Sequence, residues 1–232
     1  MVFSRSNTCP SNFSLGEFHL ERVNSFLDLG ILLDPKLNFN THITTMVNKA
    51  YGVFYFIKRW AKEFTDPYIT KGLFTSLVRP ILEYGSVVWD PQYNHYVNMI
   101  ESVQKQFLLF CLGDLRWDPA VALPPYKSRL SLIKLPSLTS RRKMLNSITI
   151  FKIINGDVRS DFLLARIAIN IPSRPSRNFN LLYLSFRRSN YASFDPLRRM
   201  CSDFNDLYEF IDFSGVATSM KSNIIAYLNG LS

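Results

Sequence analysis

The spacing of hydrophobic positions changes near residue 40. Before it, apolar and polar residues alternate. In "FSLGEFHLERV" (residues 13–23), Phe18 and Leu20 fall on one face and Glu17, His19 and Glu21 on the other, around a turn at Gly16. "MVFSR" and "SFLDLGILLD" read as further strands, the latter ending at the turn signal Asp34-Pro35. This predicts a small antiparallel β element of two to four strands, too little to be stable alone. It needs the helices behind it or a partner in front of it.

From Asn40 the period becomes helical. Ile43, Met46, Val47, Ala50, Tyr51, Phe54 and Ile57 share one face, with Asn40 or Thr41 as N-cap and Glu63 at the close. Lys49, Lys58, Arg59 and Lys62 decorate this helix. A second helix opens at Asp66-Pro67, with Asp as cap and Pro in the first turn. It presents Ile69, Leu73, Phe74, Leu77, Val78 and Ile81, and Pro80 is expected to kink or break it, at about 3 kcal/mol for an interior proline. Arg79 and Glu83 stand four apart and can pair. Behind the proline, Tyr84 and Trp89 are expected to lie inside the bundle.

Asp90-Pro91 repeats the cap-then-proline device and predicts a third helix carrying Val97, Ile100, Val103, Phe107, Leu108 and Cys111, stopped by Gly113. The proline-rich "WDPAVALPPY" is the best boundary in the chain. Helices are then expected at Lys127–Lys134, Ser137–Asn155, near Pro196–Phe210 and at Val216–Leu228, with an irregular arm over 170–196. The expected fold is mainly α: a helical bundle with a small N-terminal antiparallel β element. Three regions follow, with boundaries at 1–39, 40–116 and 117–232.

Charge adds a location to this outline. The 232 residues carry a net +9. Residues 1–124 are neutral, whereas 125–199 hold 15 basic and 3 acidic residues. From Arg159 to Arg199 every base is an arginine, the side chain suited to bidentate phosphate contacts. A basic solvated surface is the ordinary reading; clustering of this size points to a polyanion, above all nucleic acid. Three widely separated cysteines, Cys9, Cys111 and Cys201, argue against a disulfide framework or a zinc knuckle and for an intracellular setting, nucleus or cytoplasm left open. The longest apolar run, Phe107 to Leu112, is too short for a membrane span, and no secretory signal core follows the N-terminus.

Catalytic patterns are missing. There is no adjacent Asp-Asp pair, Gly-rich phosphate loop, Gly-x-Ser-x-Gly elbow or His-Glu-x-x-His. Asp203/Asp206 and Glu209/Asp212 read as a solvated helical face, and His19, His42 and His95 as surface or capping residues. On this chemistry the chain alone is not an enzyme.

The order of several segments is nevertheless specific. "FLDLGILLDPKLNFNTHI", "KAYGVFYFIKR", "LFTSLVRPILEYGSVVWDPQ", "IESVQKQFLLF", "YKSRLSLIKLPSLTSRRKMLNSITIFKIINGDV" and "RRSNYASFDPLRRMCSDFNDL" together resemble the C-terminal part of the reverse transcriptase of jockey-type non-LTR retrotransposons (LINE elements). The resemblance covers nearly the whole chain. It implies that residues 1–39 correspond to the end of the palm, 40–116 to the thumb and 117–232 to the region beyond. Leu29 and Gly30 would then belong to a primer-grip-like turn. The family's palm aspartates are not in this sequence, so any Mg would belong to the missing palm and the chain itself needs no cofactor.

The implied partners are RNA or an RNA–DNA duplex and the palm portion of the parent polymerase; no membrane is implied. The residual role would be holding a template–primer backbone. Candidates are Lys49, Lys58, Arg59 and Lys62 by position, and Arg141, Arg142, Lys143, Arg174, Arg177, Arg187 and Arg188 by charge density. Tyr183, Phe186 and Tyr191 suit either base stacking or a core, and the core is the weightier reading. The alternative is a protein-interaction module, or a relic of a mobile element without function.

Overall fold

The computed structural model describes residues 3, 13–61, 66–113, 124–171, 180–208 and 224. The fold is mainly α, with two small antiparallel sheets near the N-terminus.

Strands β1 (Ser14–Leu15) and β2 (Phe18–His19) form one hairpin, and β3 (Phe26–Asp28) and β4 (Ile31–Leu33) a second, separate one. The second hairpin turns through Leu29 at φ 44° and Gly30 at φ 82°. Positive φ at both turn residues matches the twist of the flanking strands. The alternating pattern predicts one buried face, yet every residue from Phe13 to Gly30 is exposed. Only β4 is partly covered, with Ile31 packed against the helical core.

Helix α1 (Asn40–Trp60) buries the expected stripe of Ile43, Met46, Val47, Ala50, Phe54 and Ile57. Its entry is set differently from the expectation. Neither Asn40 nor Thr41 caps it; the N-cap position is Phe39, in the left-handed region and without a side-chain cap. Asp34 instead collects the backbone N–H groups of Lys36, Asn38 and Phe39 at 2.8–3.2 Å, which winds the loop into the helix. His42 adds a second pin: its Nδ1 accepts from Leu32 N–H at 3.2 Å, tying β4 to the first turn of α1.

Helix α2 (Pro67–Leu73) starts as expected, Asp66 accepting from Tyr68 N–H at 2.8 Å. The chain does not break at Pro80. A π-helical turn, Phe74–Val78, leads straight into α3 (Arg79–Glu83), with Pro80 in its first turn. The wider turn absorbs the irregularity where the proline ring would press on the preceding carbonyl. α3 ends at Tyr84, Gly85 takes φ 63°, and the short α4 (Ser86–Trp89) follows. Trp89 is buried at 1% exposure, with its indole N–H donating to Tyr84 O at 2.7 Å. Tyr84 is not inside the bundle. It is 59% exposed, and its hydroxyl donates to Leu29 O at 2.8 Å, clasping the tip of the second hairpin.

Helix α5 (Asn94–Gly113) begins four residues after Asp90, so Asp90-Pro91 is not its cap. Its buried face holds Ile100, Val103, Phe107, Leu108 and Cys111 together with two polar residues, Glu101 and Gln104. Glu101 accepts from Thr139 N–H at 2.7 Å and from Tyr126 Oη at 2.6 Å, while Gln104 donates to Pro136 O at 2.9 Å. These bonds seat α6 (Tyr126–Ile133) and the start of α7 (Leu138–Ile154) on α5. Lys71 caps the end of α6, donating to Ile133 O at 2.8 Å and Lys134 O at 3.0 Å. α7 starts from the Ser137 cap and ends at Asn155-Gly156, with Gly156 at φ 78°.

The short α8 (Asp161–Leu164) and α9 (Asn190–Ser193) precede α10 (Pro196–Leu207). Across the arm, Ile169 and Leu182 form an isolated antiparallel bridge. Two apolar clusters result. The first runs from Ile43 through Phe107 to Leu138; the second gathers Met144, Ile150, Phe151, Leu182, Met200 and Phe204. Helix α7 belongs to both, so packing crosses the proline-rich connection and the seam lies within one helix. The expected helices over 216–228 and beyond residue 208 lie outside the described residues, apart from Ile224, which is buried in the second cluster.

Candidate nucleic-acid interface

The arginines chosen by charge density split by environment. Arg141 and Arg142, on α7, are buried at 8% and 1% exposure. Both guanidinium nitrogens Nε and Nη2 of Arg141 donate to the Glu83 carboxylate. Arg142 Nε donates to Asp90 Oδ1 at 2.6 Å, and Arg199 from α10 approaches Asp90 Oδ2 at 3.6 Å. Arg199 also donates to Asp90 O at 3.2 Å and Val87 O at 2.8 Å. Arg79 stands 3.7 Å from Glu83, as the i,i+4 spacing predicts, although Arg141 is the tighter partner. Four arginines therefore converge on the two carboxylates that flank α4, Arg79 and Arg141 on Glu83 and Arg142 and Arg199 on Asp90. Arg141 and Arg142 are enclosed in ion pairs and present no cation to a phosphate.

Burial accounts for the electrostatics at this seam. Desolvation lowers the pKa of Arg199, opposed by the nearby Asp90 and Asp203 charges. Asp203, expected on a solvated face, is 8% exposed and accepts from Asn146 Nδ2 at 2.7 Å. Desolvation raises its pKa, with the Asn146 bond and the Lys143 charge opposing. Lys143 is half-exposed and donates to Asp206 at 3.1 Å. Desolvation acts to lower its pKa, but the Asp206 bond and the neighbouring acidic charges prevail and raise it. Its charge is thus partly neutralised within the fold.

Helix α1 presents a different surface. Lys49 and Arg59 are exposed on its outer face. Lys58 is half-buried with its ammonium 5.5 Å from the Phe110 ring centroid. None of the three has an ion-pair partner among the described residues. Between and beside them stand Tyr55, Phe56 and Trp60 at 52%, 59% and 65% exposure. Tyr55 stacks on Tyr51 at 5.9 Å, and Phe56 and Trp60 lie 6.3 Å apart. From Lys49 to Arg59 the helix rises about 15 Å, a length comparable to the axial rise of four base-pair steps of a duplex at ~3.4 Å each. Nothing in the sequence singles out the three exposed rings: Tyr55 and Phe56 lie within the apolar run 53–57, and Trp60 follows Lys58 and Arg59. Their position opposite the Ile43–Ile57 stripe is the signal that finds them.

Arg187 and Arg188 are exposed, as are Tyr183 at 59% and Phe186 at 84%, so the core reading of these two rings is corrected. Tyr191 lies in α9, and its side chain is outside the description; Lys62, Arg174 and Arg177 lie outside the described residues altogether. Leu29 and Gly30 occupy the tip of the β3–β4 hairpin, where Leu29 is 82% exposed and a Cβ on Gly30 would stand 3.4 Å from Tyr84.

Among the described residues no group of three or more His, Cys, Asp or Glu side chains is placed to hold a metal ion, and no helix is long and apolar enough to cross a membrane. His42 is buried rather than a surface or capping residue, with its ring 5.6 Å from Trp89, and burial lowers its pKa. Burial also pushes the Cys111 thiol up to about 12 and, aided by Asp195, the Cys201 thiol up to about 11. No family model matches the chain, and neither a curated protein nor a solved structure matches it.

Proposed function

We propose that this chain is a thumb-like, non-catalytic portion of a retrotransposon-type reverse transcriptase that holds an RNA or RNA–DNA duplex by its backbone. The observation that carries the reading is the outer face of α1, where Lys49 and Arg59 lack acidic partners and stand among exposed Tyr55, Phe56 and Trp60, with Lys58, also without an acidic partner among the described residues, half-buried at its edge. Cations on a rigid helix meet phosphates without reading sequence, and rings beside them give apolar contact to sugars or bases. The hairpin tip at Leu29-Gly30, clasped by Tyr84 next to the helical bundle, is consistent with a turn held close to a duplex end. In this reading Arg141 and Arg142 shape the fold and make no phosphate contact.

The test is filter binding of an RNA–DNA hybrid over a salt series. The chain should bind at low salt, with affinity falling steeply as salt rises. Changing Lys49, Lys58 and Arg59 together to Ala should reduce the log–log salt slope by about 2–3, since each phosphate contact contributes ~0.9 on duplex DNA. A slope unchanged by the triple substitution, in a chain that still folds, would refute the assignment.

A second reading has its own observation. Eight apolar side chains between Phe13 and Leu29 are at least 36% exposed on two hairpins that bury little. Such a surface suits a protein partner. A protein-interaction module is therefore the competing reading, distinguished by a chain that fails to bind duplex at any salt concentration.

A further inference from the structure

A cleft of about 770 Å³ opens between the β4–α1 loop, the turn after α4 and the 183–199 segment. Its size falls within the ~300–1,000 Å³ of small-molecule sites. The floor is apolar, with Ile43, Trp89 and Cys201 all buried. Tyr93 and Tyr183, each 59% exposed, contribute rings to the lining.

The charged lining is unbalanced: Arg166, Arg187, Arg198 and Arg199 face only Asp90 and Asp195. Both acids are already committed. Asp90 pairs with Arg142 and Arg199, and Asp195 accepts from Arg198 N–H at 3.3 Å as the cap of α10. Arg198 is held rigid by donating to Ser185 O at 3.2 Å and Ser193 O at 3.1 Å. Arg187 is exposed and has no ion-pair partner among the described residues.

Rings and surplus guanidiniums call for a ligand with a flat face and an anionic group. A bare anion would leave the tyrosines unused, and an apolar ligand would strand the arginines. We propose that this cleft binds a single nucleotide unit, its base stacked on Tyr183 or Tyr93 and its phosphate on Arg187. The site is separate from the α1 face and does not depend on the duplex-binding reading.

Equilibrium dialysis of the full chain against AMP, adenosine, inorganic phosphate and a 5′-phosphorylated RNA trinucleotide tests it. AMP should bind saturably, with adenosine and phosphate each at least about tenfold weaker. Tyr183→Ala and Arg187→Ala should each weaken AMP about tenfold, Arg187→Gln should act alike, and the triple substitution on α1 should have no effect. A trinucleotide much tighter than AMP identifies a single strand as the source of the nucleotide; equal affinity identifies the free nucleotide. Absence of saturable AMP and trinucleotide binding, equal affinity for adenosine, or binding unchanged in the Tyr183 and Arg187 variants would overturn the proposal.

Discussion

Replacing Asp90 by Ala strikes the point where the two apolar clusters meet. Its carboxylate receives Arg142 at 2.6 Å and Arg199 at 3.6 Å, and Arg142 is 1% exposed. Removing the carboxylate strands a buried guanidinium, because the second acceptor of Arg142, Thr139 Oγ1 at 3.3 Å, carries no charge. Breaking a buried pair from one side costs about 3–5 kcal/mol. For a chain of this size each kcal/mol moves the melting temperature by about 2–4 °C, so a loss of at least ~6 °C is expected.

Urea and thermal melts followed by circular dichroism read this directly. The companion variant Arg142→Met removes the stranded charge. Asp90→Ala with Arg142→Met should therefore be destabilised by at least ~1 kcal/mol less than the sum of the two single changes. An Asp90→Ala chain within about 0.5 kcal/mol of the parent, or strictly additive substitutions, would show that the seam is not held by this pair.

The elbow and the buried titratable groups give further expectations. A Cβ at Gly85 would lie 2.7 Å from Ile31 Cδ1 in a residue at φ 63°, so Gly85→Ala should cost at least about 1–2 kcal/mol by urea melt, and Ile31→Val should relieve part of it. Because burial holds the His42 pKa below its unfolded value, its stabilising contribution is present above about pH 6.5 and is lost as the pH falls through its folded value. Urea midpoints at pH 7.5 and 5 should differ more for the parent than for His42→Asn; equal differences would contradict this. Cys111 and Cys201, raised to about 12 and about 11, should resist iodoacetamide until urea unfolds the chain. Rapid native alkylation of either thiol would count against their burial.

Legibility in the sequence followed the range of the forces involved. The α1 stripe, the Asp66-Pro67 start and the Ser137-to-Gly156 limits of α7 are set by neighbours within a turn, and periodicity and cap chemistry find them. Asp90-Pro91 has the same local form as Asp66-Pro67 but a different outcome, because Arg142 and Arg199, distant in sequence, take the carboxylate. The same long-range pairing hides in "SRRK", where two arginines read as surface charge turn inward to Glu83 and Asp90. Tyr84 illustrates the converse: an aromatic expected in the core stays outside because its hydroxyl finds Leu29 O. The exposed rings of α1 were equally hidden, since a helix apolar on two faces shows its second face only once the first is packed.

Photo-crosslinking from the outer face of α1 tests the central claim most directly. A benzophenone amino acid replaces Tyr55, or Ile148 on the half-buried surface of α7, in the presence of a labelled RNA–DNA hybrid. The account predicts a crosslink from position 55 that fades as salt rises and is lost when Lys49, Lys58 and Arg59 are all alanine, with none from position 148. Crosslinking from 148 but not from 55 would contradict it.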